Sequence, residues 1–138
     1  GGNVMGDRAN FGFVQPNGHT IVLYGHWAGH NMLANLAEAV FKARPRWNDP
    51  SYATRIAISQ MVADDWNSET GWGLSVNLIN DNEHKIAIVD FKQQTFSLHE
   101  EAPHNDLDNK VRGMSNEPIF TMDLSNFVEK YADVVVAV

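Results

Sequence analysis

"RANFGFVQPNGHTIVLYGHWAGH", residues 8–30, decides the fold. Phe11 and Phe13 alternate with small or polar neighbours, the period-2 signature of a strand. Ile21 to Tyr24 is a run of strand formers. Pro16-Asn17-Gly18 lies between them with turn chemistry: proline pre-sets φ, and glycine can take positive φ. The stretch therefore predicts a β-hairpin. A tight hairpin makes its strands antiparallel, so the sheet begins antiparallel. Gly25 and Gly29 bracket the change of direction that follows, as permissive backbone positions would.

Two helices come next. In "GHNMLANLAEAVFKARP" (29–45), Leu33, Leu36, Ala37, Val40 and Phe41 recur at three- and four-residue steps and form one apolar face. Asn31 or Gly29 is the expected cap, and Pro45 stops the helix near Arg44. In "NDPSYATRIAISQMVADDW" (48–66), Asp49 at the N-cap and Pro50 at the first helical position form a strong start signal. Ala53, Ile56, Ala57, Gln60 and Met61 trace its face.

A meander follows. "GWGLSVNLI" (71–79), "KIAIVDF" (85–91) and "TFSLHE" (95–100) read as strands separated by the turns "NDNEH" and "KQQ". Residues 101–116 lack periodicity and predict a long, exposed, weakly constrained loop. "PIFTM" (118–122) predicts a short strand with Pro118 at its start or on a sheet edge. "DLSNFVEKYAD" (123–133) predicts a final helix capped by Asp123. The tail "VVVAV" (134–138) suggests an added edge strand or an interface, which makes a homodimer through the tail one expectation. The expected fold is α+β: one domain, an antiparallel sheet of about five or six strands, and about three helices on one face.

The 138 residues suit one domain with a real core. Residues 1–4 precede Met5 and read as an appended remnant, so the domain is expected to run from 5 to 138. No apolar run approaches the roughly 18–20 residues a membrane span needs. No signal pattern is visible. The chain holds no cysteine, which excludes disulfides, thiolate nucleophiles and cysteine-ligated zinc and fits a reducing cytoplasm. A net charge of −7 disfavours wrapping nucleic acid. It leaves simple solubility, a basic protein partner or nucleic-acid mimicry.

The candidate chemistry is sparse. His26 and His30 are four apart, but zinc needs about three protein ligands, and Trp27 stands where HExxH has its glutamate. No metal and no cofactor are expected. There is no GxSxG elbow and no phosphate loop, so no catalytic residues are assigned. Asp90 shares a strand face with Ile86 and Ile88. A carboxylate there needs a partner, and Arg8 or Arg55 is the natural one. Tyr24, Trp27, Trp47, Tyr52 and Trp72 fall near element ends, with arginines close in sequence. Rings and guanidinium forks suit stacking and gripping a carboxylate or phosphate, and they equally suit rim packing.

"MGDRAN" (5–10), "LYGHWAGH" (23–30), "RWNDPSYATRIAIS" (46–59), "ETGWG" (69–73) and "IVD" (88–90) together resemble a group of small proteins encoded by actinobacteriophages and some bacteria. The resemblance covers about the first two thirds of the chain. It implies that Asp7, Arg8, His26, Trp27, Trp47, Asp49, Tyr52, Arg55, Glu69, Thr70 and Asp90 belong to the group's pattern, and it brings no catalytic residues. The candidate ligand-binding set is Arg8, His26, Trp27, Trp47, Tyr52, Arg55, Glu69 and Asp90. The His26 junction would form one wall of a site and "RWNDPSY" another. The leading expectation is a phage accessory protein of the host cytoplasm that binds a host or phage protein, with no nucleic-acid or membrane partner. The alternatives are a binder of a small nucleotide-like ligand and a hydrolase using His26 and Asp90.

Overall fold

A computed structural model of the chain describes residues 6–132. The start at Met5 and the "VVVAV" tail lie outside the described residues. The domain is α+β, with helices packed on a six-stranded sheet. Its strands are β1 (Ala9–Val14), β2 (Thr20–Gly25), β3 (Trp72–Val76), β4 (Ile86–Asp90), β5 (Thr95–Glu101) and β6 (Met114–Asp123), in the order β3-β2-β1-β4-β5-β6. All pairs are antiparallel except β1–β4, which is parallel. That central pair arises because the chain leaves β2 through two helices and the edge strand β3, then returns beside β1. A hairpin-by-hairpin reading does not register such a crossover.

The expected hairpin forms, with Phe11 opposite Leu23 and Phe13 opposite Ile21. Gly18, at φ 89, closes its turn. The helices are α1 (Met32–Lys42), α2 (Pro50–Val62) and α3 (Leu124–Tyr131). α2 begins as expected: Asp49 is the N-cap, its side chain accepts from Tyr52 N, and Pro50 follows. α1 begins at Asn31 without a side-chain cap, and the asparagine instead takes the left-handed backbone at φ 55. Asp123 likewise sits at the N-cap of α3 but makes no capping bond.

Two cores flank the sheet. On the helix side, Phe11, Phe13, Leu23, Ala87, Val89 and Phe96 meet Leu36, Val40, Ala53, Ala57 and Phe127. Phe96 and Phe127 stack at 3.9 Å between centroids. On the opposite side, Val22, Ile86 and Ile88 are covered by Ile79, Val111 and Met114. That second core corrects one part of the expectation for residues 101–116: residues 103–108 are exposed as expected, but the segment is not weakly constrained. The segment is tied down, because Ala102 N donates to Gly113 O, Arg112 N to Asn77 O, and Ile79 N to Arg112 O, each within 3.0 Å. Two apolar side chains spaced irregularly, Val111 and Met114, supply the anchoring without any periodic signal. β6 starts at Met114, well before Pro118, and Pro118 stands on the sheet edge where the β5–β6 register shifts. No helix among the described residues is long and apolar enough to cross a membrane.

Candidate functional site

The segment before β1 and the bend after β2 meet at one end of the sheet. Asp7 N donates to His26 O, and Gly29 N donates to Asp7 O, both at 2.8 Å. The Tyr24 hydroxyl lies 2.9 Å from His26 Nδ1, and His26 packs edge-on against Trp27 with centroids 4.6 Å apart. Asp7 pairs with His84, from the β3–β4 loop. The glycines here are needed for space. A Cβ on Gly6 would lie 2.6 Å from His26 Nε2, and one on Gly29 would overlap both His84 Nε2 and Asp7 Oδ1. Neither Gly25 nor Gly29 has positive φ, so their expected role as conformational hinges gives way to close packing. The "ETGWG" turn joins this end. His26 N donates to Gly71 O at 2.8 Å, and a Cβ on Gly71 would meet the Trp27 ring at 3.3 Å. Glu69 is exposed just before it.

Asn10 organises the neighbouring loop. It is fully buried on β1, on the sheet face opposite the helices. Its Nδ2 donates to Asp81 O at 3.2 Å and Asn82 Oδ1 at 3.1 Å, and its Oδ1 accepts from Asn80 N at 3.1 Å. Asn82 in turn donates to Glu101 at 2.6 Å. The 80–82 loop is thereby tied to β1, and it lines a cleft of about 590 Å³. Tyr24, Glu101, Ala102 and His104 line the same cleft. His104 Nε2 donates to Ile79 O at 2.7 Å, linking two of the lining residues.

The electrostatics of the cleft are acidic. No lysine or arginine lines the cleft; of the cations near it in sequence, Arg8 pairs with Glu83 at 3.3 Å and Lys85 with Glu100 at 2.7 Å, while Arg112, next to the lining Gly113, is in no ion pair among the described residues. Asp81 and Glu101 line the cleft, and among the described residues neither is in an ion pair. Arg8 Nε is buried and meets no acceptor among the described residues. Two residues from Glu101 on β5, His99 is buried between Ser97 Oγ at 2.9 Å and Ser115 O at 2.8 Å. Burial lowers its pKa from the ordinary 6.5, partly offset by the bond to the Ser115 carbonyl.

The sequence-derived site residues fall into separate places. Arg8, His26, Trp27 and Glu69 gather at the junction end. Trp47 and Tyr52 lie at the start of α2, beyond the other end of α1, whose 11 residues span about 16 Å. The two expected walls therefore do not face each other. Trp47 is buried and its Nε1 donates to Val40 O at 2.9 Å, so it braces the end of α1. Arg46 pairs with Asp49 at 3.0 Å and lies over the Tyr52 ring at 4.1 Å, which closes that segment on itself. Arg55 is exposed on α2. Asp90 pairs with neither expected arginine. Its carboxylate accepts from Gln93 N at 2.9 Å and caps the β4–β5 turn. The register sets Asp90 beside Val14, whereas His26 follows the Gly25–Ala9 pair. Five residues of β1 separate these positions, about 17 Å, so His26 and Asp90 cannot act on one bond. Asn10, Asp81, Asn82, Glu101 and His104 were not singled out from sequence. Asn10 carried the one usable signal, an amide in an otherwise apolar strand. Comparison of the chain with protein-family models, with curated proteins and with solved structures gives no match.

Proposed function

We propose that the chain is a small phage accessory protein that acts in the host cytoplasm by binding a host or phage protein, without catalysis. Its contact site is the cleft between the 80–82 loop and residues 101–104, and the group it receives is a basic side chain of the partner. The observation that carries this reading is the charge of the cleft. Asp81 and Glu101 line it beside the amides of Asn80 and Asn82, while Arg8 and Lys85 are already matched by Glu83 and Glu100. A lysine or arginine can be met there by carboxylates and amide oxygens without displacing an existing ion pair. A phosphate would meet repulsion at the same place, so this cleft does not favour a nucleotide-like ligand. A volume of about 590 Å³ also admits a small cationic or polar molecule, which stands as the second reading.

The test compares proteins captured from host lysate by the wild-type chain and by a double variant, Asp81→Lys with Glu101→Lys. Both side chains are exposed, so the variant is expected to keep its fold. A partner retained by the wild type and lost by the variant supports the proposal. A partner held equally by both, or none enriched over an acidic control of matched charge, refutes it.

A further inference from the structure

The two edges of the sheet differ in kind. β6 has the protections natural edges carry: Pro118, acidic neighbours at Glu117 and Asp123, and register shifts. β3 has none. Its residues, Trp72-Gly73-Leu74-Ser75-Val76, contain neither charge nor proline, and Leu74 and Val76 are 65% and 60% exposed. The bonds at its two ends set its parity. Asn77 N donates to Thr20 O, and Gly71 O accepts from His26 N. Alternate residues 71, 73, 75 and 77 therefore turn their backbone groups toward β2. Trp72, Leu74 and Val76 turn theirs outward, and no other described backbone group bonds them.

We propose that this edge pairs with the β3 edge of a second copy of the chain, antiparallel about a two-fold axis at Leu74. Leu74 then faces Leu74 of the partner subunit, and Trp72 faces Val76 of the partner subunit. This register uses each outward N–H and C=O of the three residues and keeps their side chains on one face, where cross-strand apolar pairs form. Charge selects a second copy over an unrelated strand. The start of β3 lies beside acidic groups: Glu69 just precedes it, and Asp65 accepts from Trp72 Nε1 at 3.3 Å. The end of β3 lies beside basic groups, because Lys110 and Arg112 border the same hollow as Val76 and Leu78. Among the described residues, none of these four charges is in an ion pair. An antiparallel two-fold sets the acidic end of one copy against the basic end of the other, twice, as an isologous interface requires. The strand edge lies on β3, apart from the cleft of the proposed function, so the two ideas fail separately.

Sedimentation velocity on the full chain across a range of concentrations tests the pairing. The wild type is expected to dimerise, with an affinity that falls as salt rises. Leu74→Lys sets like charges opposite each other at the axis and is expected to weaken the dimer about tenfold or more. Glu69→Lys and Lys110→Glu should each weaken it, and the two together should restore it. A wild type that stays monomeric, a dimer unaffected by Leu74→Lys, or charge variants that do not compensate would overturn the proposal. Unchanged circular dichroism of Leu74→Lys, expected for so exposed a side chain, separates loss of pairing from loss of fold.

Discussion

Replacing Asn10 by alanine tests how the 80–82 loop is held. Asn10 is fully buried, and its side chain ties β1 to the 80–82 loop. Truncation leaves Asn80 N–H without its acceptor and Asp81 C=O without its donor. A buried polar group left unpaired costs about 1–3 kcal/mol, and the loop's partial exposure lets water recover part of that. The expected loss is about 2–4 kcal/mol, a fall in melting temperature of roughly 6–15 °C for a domain of this size. Asn10→Asp is the sharper control. It keeps the shape but replaces the donor with an acceptor that faces the Asp81 carbonyl and Asn82 Oδ1, so it should be at least as damaging at neutral pH. Thermal melts and urea titrations read the stability, and hydrogen exchange at residues 80–84 reads the loop. An Asn10→Ala variant within about 0.5 kcal/mol of wild type would refute the reasoning, since that is the scatter of an ordinary surface substitution. So would an aspartate variant as stable as the parent.

Other outcomes follow from the same contacts. Gly29→Ala should cost about 1–3 kcal/mol, because the new methyl overlaps the Asp7–His84 pair, and the His84 ring resonances should shift in an NMR spectrum; an unshifted ring with unchanged stability would contradict the packing. His99 titrates below its ordinary value in the fold, so the unfolded chain takes up its proton first. Its contribution is therefore fully present above about pH 6.5 and is lost as pH falls below that, until the folded form also protonates. His99→Gln should flatten the stability profile in this window, and a variant with the parent's slope would exclude His99 as its source. Trp47→Phe keeps the ring in the core but removes the bond to Val40 O, and should lower stability by about 1 kcal/mol in urea titrations, with the surface of the cleft unaffected.

Local patterns in the chain carried most of the elements. The Phe11/Phe13 alternation and the Pro16-Asn17-Gly18 turn specified the hairpin, and Asp49-Pro50 specified the start of α2, because turn and cap chemistry act within a few residues. The α+β class followed from the order of those elements. Contacts between distant segments were not legible. The parallel β1–β4 pair joins residues more than seventy positions apart, and nothing in either strand encodes its neighbour's direction. The junction histidines were visible, yet their partners came from the loop at His84 and the turn at Gly71. The expected second wall at Trp47 failed because α1 holds it at the opposite end, a distance set by helix length and packing direction. Asp90, expected to be met by an arginine, accepts instead from the backbone of its own turn. Composition determined that the chain is acidic and free of cysteine. Only tertiary structure decided where that acidity is concentrated, because the pairing of Arg8 and Lys85, and the buried amide that shapes the cleft, depend on which loops the sheet brings side by side.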